Sequence, residues 1–287
     1  MSAIVQTEPR IVATGRGYDI TSTVFHPAGD SRGSILIAPA MGVAQRFYAP
    51  IATWLASHGF RVATFDYFGI GLSRKTDLAS LEISITDWAR HDCEAMVAAL
   101  AKDSPDKPLY WIGHSLGGQI LGLVPNRGRV SKMITIACGS GYWLDNPLSL
   151  RLKVWWLWYI AAPLSVRMFG YFPGKRLRKV GDLPRGVMQQ WRRWCLDRDY
   201  AVGAEGPEVR AQYAALRIPI TSLSFADDEF MSLKNTRSLH DCYQSAQRCM
   251  KRIAPADVGA KRIGHFGFFN SRFQDSLWQA YLLPELG

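Results

Sequence analysis

The sequence predicts an α/β protein built on a mostly parallel central sheet flanked by helices. Short apolar runs alternate along the chain with segments of helical spacing, the order that folds into crossover units. One such run, Leu109-Tyr110-Trp111-Ile112, leads into Gly113-His114-Ser115-Leu116-Gly117-Gly118 and then into the helical start Gln119 to Val124. The length, 287 residues, suffices for one large α/β domain with an insertion and an ample core.

The elements follow in order. Ile11 to Ala13 and Ile20 to Val24 flank a turn at Gly15-Arg16-Gly17 and read as an antiparallel hairpin, and the first few residues of the chain are expected to fray. Ser34 to Ala38 and Arg61 to Asp66 are strands, with a helix from Tyr48 to Ser57 between them. Leu81 to Ala101 is expected to be helical, its Trp88, Met96, Val97 and Leu100 packing on the sheet. After the strand Leu109 to Ile112, a helix is expected from Gly117 to Val124 and a strand from Met133 to Ala137. Ile218 to Phe225 is a further strand, and helices from Lys234 to Gln244 and Phe273 to Leu283 close the chain. There is no internal repeat and no low-complexity stretch.

A G-x-S-x-G between a strand and a helix is the context of a nucleophile elbow. Glycines are needed because the turn leaves no room for side chains beside a serine whose own backbone is strained. Ser115 Oγ is thereby expected at the tip of the turn, with the free N–H groups of the helix start aimed at developing negative charge. A serine on such a turn takes its acid and then its base from later in the chain. Ile263-Gly264-His265-Phe266-Gly267 offers the base, His265, in a loop just before the last helix. His91 precedes the elbow on a helix, His114 adjoins the serine and points elsewhere, and His240 lies in a helical Leu-His-Asp context. The strand ending at Phe225 runs into Asp227, Asp228 and Glu229; being consecutive, only one of them can reach the site.

These residues resemble the α/β-hydrolase superfamily, in its branch of esterases and monoglyceride-lipase-like enzymes. The resemblance spans the chain from about residue 30 to the end, apart from an insertion. Those proteins carry Gly-x-x-Asp after the acid-bearing strand, and Phe225-Ala226-Asp227-Asp228 fits that frame with Phe225 in place of the glycine, which implies Asp228 as the acid. Their His-Gly-x-Gly loop corresponds to Pro39-Ala40-Met41-Gly42, which implies main-chain oxyanion donors at Met41 and at Leu116 after the serine. A main-chain donor survives changes in neighbouring side chains. Asp66-Tyr67-Phe68-Gly69-Ile70-Gly71-Leu72-Ser73 is close to their Asp-x-x-Gly-x-Gly-x-Ser loop, so Asp66 is expected to shape the site rather than to react.

The same resemblance places a lid over the active site in the insertion, residues 143–215, leaving 1–142 and 216–287 as the core. Arg151 to Arg193 contains ten Lys/Arg and one acid, Asp182, so nearly all of the formal net charge of +10 falls within it. It opens with the thirteen-residue run Val154 to Val166, bracketed by Arg151, Lys153 and Arg167. That run is too short to cross a bilayer, which takes about 20 residues. Its tryptophans and leucines are expected to line an acyl pocket, and a basic, aromatic surface of this kind also suits contact with an anionic membrane. Nucleic acid is not expected as a partner, since the basic residues sit on no recognisable binding module.

Other classes drop out. Cys93, Cys138, Cys195, Cys242 and Cys249 are odd in number and lack C-x-x-C spacing, which excludes a disulfide frame or a metal site and points to reduced thiols. The start Met1-Ser2-Ala3-Ile4-Val5-Gln6 lacks the charged and apolar regions of a secretory signal, and a cytoplasmic protein, peripheral to the membrane at most, is expected. No P-loop, H-E-x-x-H or dinucleotide fingerprint is present, and no cofactor is expected. The expected activity is hydrolysis of a carboxylic ester with a hydrophobic acyl group through Ser115, His265 and Asp228. A thioesterase or acyltransferase would use the same parts, and a non-catalytic ligand-binding member of the fold is the alternative from another class. Haloalkane dehalogenation is excluded, because it needs a carboxylate where Ser115 stands.

Overall fold

The computed structural model describes residues 5–177 and 180–287. The expected fraying of the first residues, and Arg178 and Lys179 of the basic run, lie outside the described residues. Among the described residues ten strands form two sheets. In chain order they are β1 (Gln6–Ala13), β2 (Asp19–His26), β3 (Gly33–Ala38), β4 (Phe60–Phe65), β5 (Leu109–His114), β6 (Lys132–Ile136), β7 (Tyr171–Phe172), β8 (Leu183–Pro184), β9 (Ile220–Phe225) and β10 (Arg248–Ile253). The large sheet has the order β1-β2-β4-β3-β5-β6-β9-β10. β1 and β2 are antiparallel to each other, and β2 to β4; every other pairing is parallel. β7 and β8 form a separate two-residue antiparallel pair.

The central strands of the sheet, β3, β4, β5, β6 and β9, are buried on both faces, as parallel strands covered by crossover helices must be. Side chains alternate across it. Ile35 and Ile37 of β3, with Tyr110 and Ile112 of β5, enter one core; Leu36, Ala38, Leu109 and Trp111 enter the other. The first core is covered by the helix Ala49–Ser57 and the C-terminal helical run, whose Trp54 and Trp278 rings lie 5.5 Å apart. Over the second lies a helical stretch from Ile85 to Asp103 with Trp88 stacked on Tyr67 at 4.6 Å.

That stretch begins at Ile85 rather than at Leu81. Ser84 caps it, its hydroxyl accepting from Asp87 N–H at 3.2 Å while the Asp87 carboxylate accepts from Ser84 N–H at 2.8 Å. The helix after the serine is also shorter than its apolar pattern suggests, spanning Leu116–Gln119. The Gln119 carbonyl accepts instead from the Tyr213 hydroxyl at 2.6 Å, and only a 3₁₀ turn follows. β10 escapes a reading by apolar runs because Arg248, Cys249 and Met250 are exposed, as suits an edge strand.

Between β6 and β9 the chain makes an insertion of helices around the β7–β8 pair. Its helix Arg185–Leu196 is tied to the core by Gln190, which accepts from Thr86 N–H at 3.1 Å and donates to Thr86 Oγ1 at 2.7 Å.

The C-terminus is stapled to the sheet by one carboxylate. Glu285 takes Lys132 of β6 at 2.6 Å and Thr221 of β9 at 2.7 Å, and also pairs with Lys251 of β10. Burial pushes its pKa up, but Lys132, Lys251 and Thr221 overcome this and hold it down at about 2, against 4.5 unperturbed. A carboxyl depressed in the folded state stabilises above its unfolded pKa and loses that contribution as pH falls through the folded one. Glu285→Gln should therefore lower the unfolding free energy at pH 7 by about 1 to 2 kcal/mol, solvent screening of the partly exposed ion pairs reducing the full effect of the shift. The gap between wild type and variant should close as denaturation is repeated from about pH 5 downward. An equal gap at pH 7 and at low pH would refute the ionic origin.

Candidate active site

The site is organised by the turn after β5. Ser115 adopts φ 49° and ψ −113°, a conformation in which a residue with a side chain is strained. The strain is held from several sides. Ser115 N–H donates to the Ile136 carbonyl at 3.1 Å, Trp111 Nε1–H donates to the Gly117 carbonyl at 2.9 Å, and the buried Cys138 thiol donates to the Ser115 carbonyl at 3.2 Å. The glycines serve close approach: a Cβ on Gly117 would collide with the Ala38 carbonyl of β3, and one on Gly113 with the backbone of Gly117 and Gly118.

His265 stands on a short helical turn, Gly264–Gly267, packed between the rings of Phe230 and Phe266. Its Nδ1 lies 2.9 and 3.1 Å from the two carboxylate oxygens of Asp228, and both side chains are almost wholly buried. Asp228 Oδ1 also accepts from the Phe230 and Met231 amides at 2.8 and 2.9 Å. A carboxylate on Nδ1 fixes the tautomer with its proton there, so Nε2 carries the lone pair and can take up a proton. Asp227 and Glu229 serve the same turn by other means. Asp227 accepts from the Ile263 and Gly264 amides at 2.8 and 3.1 Å, and Glu229 accepts from His265 N–H at 3.1 Å. All three consecutive acids thus hold the His265 turn, one by its imidazole and two by its backbone.

His114 is the residue whose position the sequence did not disclose. Its ring does point away from the serine, but it is fully buried and spans two loops: Nδ1 lies 2.9 Å from the Tyr48 hydroxyl and Nε2 lies 3.1 Å from the His265 carbonyl. The direction of every bond follows. A carbonyl only accepts, so Nε2 carries the proton; Tyr48 oxygen accepts from Ala40 N–H at 2.8 Å and donates its own proton to Nδ1. Burial pushes the His114 pKa well below the ordinary histidine value, and the neighbouring His265 pushes it the same way. A neutral relay therefore joins the loop after β3 to the turn that carries His265.

Asp66 has a comparable role. It accepts from Gln45 N–H at 2.7 Å and from Leu72 N–H at 2.8 Å, tying the loop after β3 to the loop after β4. Met41, in the former loop, and Leu116 are both buried, and among the described residues neither amide donates to a protein acceptor. His240 is buried apart from this cluster, bonded to the Thr236 carbonyl and the Thr135 hydroxyl, and burial lowers its pKa to about 4. His91 lies on the helical stretch, 4.0 Å from Asp87. No group of acids, histidines and cysteines with metal-ligating geometry occurs among the described residues.

Ser115, Met41 and Leu116 open into one cavity of about 550 Å³ with Phe230 and Phe266, the two rings that sandwich His265. Its roof comes from the insertion: Leu150, Val154, Leu157, Trp158, Trp191 and Tyr200. The walls are predominantly apolar, with Lys153 and Glu229 as the charged groups.

This sheet order and strained serine turn are those of the α/β-hydrolase class. The family model described as "Serine aminopeptidase, S33" matches residues 29–180, more than half of the chain, and the chain belongs to that family of α/β hydrolases. The matched residues include Ser115 and end before Asp228 and His265. No curated protein matches the sequence. Among solved structures, an esterase of Pyrococcus furiosus superposes with a TM-score of 0.61 at 12% identity, covering 98% of this chain and 90% of its own. An enzyme described as degrading N-acyl homoserine lactones gives 0.61 at 16% identity, with 95% of this chain and 100% of that one covered. A thermostable carboxyl esterase of Bacillus coagulans, in complex with glycerol, gives 0.59 at 15% identity, with 86% and 90% covered. At such identities the likeness is one of fold.

The relay makes a prediction that needs no substrate. In long-range ¹H–¹⁵N spectra, His114 should stay the neutral Nε2–H tautomer from about pH 5 to 8. Tyr48→Phe, which removes the proton donated to Nδ1, should alter its ring shifts. A titrating His114 in the wild type would refute the relay.

Proposed function

We propose that the protein is a serine hydrolase that cleaves carboxylic esters with a hydrophobic acyl group through a Ser115–His265–Asp228 triad. Ser115 attacks the ester carbonyl carbon while His265 Nε2 takes its proton, and Asp228 on Nδ1 holds the tautomer and balances the imidazolium. The carbonyl oxygen becomes an oxyanion received by the Met41 and Leu116 amides. His265 then returns the proton to the leaving alcohol, leaving an acyl-enzyme. Water, deprotonated by the same nitrogen, attacks that ester; the bond to Ser115 Oγ breaks, His265 returns the proton to Oγ, and the acid is released.

The observation that carries this reading is the strained Ser115 opening into a largely apolar cavity, with the buried His265–Asp228 pair packed behind Phe230 and Phe266 of that cavity's wall. The apolar roof supports the preference for a hydrophobic acyl chain. In this reading residues 143–215 act as the lid, resting peripherally on anionic membrane. All five cysteines are free thiols, which supports a cytoplasmic location.

A panel of p-nitrophenyl esters from acetate to palmitate should show activity rising beyond the shortest chains, and a fluorophosphonate should label the wild type but not Ser115→Ala. Loss of Oγ should lower kcat about 10⁴-fold or more with folding intact. A variant keeping a tenth of wild-type activity on every ester would remove the mechanism.

The three acids separate in the same assay. Asp228→Asn leaves the imidazole with the wrong tautomer and should lower kcat about 10²- to 10⁴-fold. Asp227→Asn gives up one of its two bonds to the backbone amides, since Oδ2 accepts from Ile263 and Oδ1 from Gly264, but leaves the imidazole's own carboxylate in place, and should lower kcat about tenfold at most. The reverse order would reassign the acid.

A further inference from the structure

The helical run 148–169 of the insertion is apolar on two opposite faces. It comprises an α-helix Leu148–Trp156, a π-helical turn Leu157–Ala161 and an α-helix Ala162–Phe169, ended by Gly170 in the left-handed conformation. One face, with Leu150, Val154 and Leu157, roofs the cavity above Ser115. The other carries Leu148, Leu152, Trp156, Ile160, Leu164 and Met168, four residues apart throughout and 44 to 78% exposed. A four-residue row drifts around a straight α-helix; the wider π turn checks that drift, keeping the row continuous over about 30 Å. A helix apolar all round is normally buried, and a contiguous exposed apolar stripe marks a surface that something covers.

We propose that this stripe is a lipid-docking surface that lays the insertion flat on an anionic bilayer. The charge around it selects the occupant. Arg151, Lys153 and Arg167 lie on the same helices, and no Asp or Glu occurs from residue 146 to residue 181. A bilayer of anionic lipid satisfies both features, acyl chains taking the leucines and phosphates the cations, with Trp156 and Tyr159 at headgroup depth. A second copy of this chain would bring the same unbalanced cations against each other. The run lies on the membrane and does not cross it, since no described helix is long and apolar enough to span. Because the roof of the cavity is the other face of the same helices, docking holds that roof at the lipid surface. That consequence rests on the lid reading; the docking itself requires no hydrolysis.

Flotation of the full chain with phosphatidylglycerol and with phosphatidylcholine vesicles tests the surface directly. The wild type should float with phosphatidylglycerol at low salt, bind less at high salt, and bind phosphatidylcholine weakly. The triple variant Leu152→Gln, Trp156→Gln, Leu164→Gln alters exposed positions outside the cavity. It should float at least tenfold less while keeping the wild-type melting profile and its hydrolysis of a soluble short-chain ester. Brominated phosphatidylglycerol should quench part of the wild-type tryptophan emission, a readout independent of how the variant folds. Ser115→Ala should float like the wild type, whereas wild-type protein that binds lipid but hydrolyses no ester would overturn the catalytic reading alone. Absence of wild-type flotation and quenching, or equal flotation of the triple variant, would overturn the docking surface. A wild-type dimer that the triple variant converts to monomer, without lipid binding, would overturn it in favour of a contact between copies.

Discussion

The whole site depends on how closely the chain after β5 approaches its neighbours. The serine turn folds back on β5 and against β3 with no room for side chains: a Cβ on Gly113 would meet the backbone of Gly117 and Gly118, one on Gly117 the Ala38 backbone of β3, and one on Gly118 the Cys138 thiol after β6. That approach sets Ser115 in a backbone conformation it would not adopt alone. Trp111, Cys138 and the Ile136 carbonyl each add a bond that keeps it there. Strain of this kind persists only where the surroundings over-determine it, and here they do so from both flanking strands.

Around this fixed point the remaining groups are held by polar links between loops rather than by the sheet itself. Asp66 joins the loops after β3 and β4, the Ala40–Tyr48–His114–His265 relay joins the loop after β3 to the His265 turn, and the three acids fix that turn to the end of β9. These links are buried, where a hydrogen bond is strong and an unpaired group is costly. Removing one member therefore leaves its partner unsatisfied, which makes the network act as a unit.

The insertion shows a different economy. Its inward face completes the apolar cavity, while its outward face leaves leucines and tryptophans in water. Folding alone gains nothing from that outward stripe, since apolar surface is stabilising only when removed from water. Its cost to solubility is offset by the surplus of cations beside it.

The amino-acid sequence by itself determined the serine turn and most of the core strands and helices, because periodicity and glycine spacing are local properties written along the chain, while the choice of Asp228 among three consecutive acids came from the resemblance to α/β hydrolases. It also carried the concentration of positive charge in residues 151–193. Only the tertiary structure decided what depends on distant segments meeting. The tasks of Asp227 and Glu229 are invisible in a run of three acids, since they depend on where the Ile263–His265 backbone lies. The relay through His114 joins residues 151 positions apart, and no local pattern encodes it. The β10 edge strand, with exposed Arg, Cys and Met, shows no apolar run because its pairing to β9 uses backbone groups alone. Likewise the division of one apolar helix into a cavity face and an exposed face follows from what it packs against. Hydrophobicity is a property of the residue, but burial is a property of the fold.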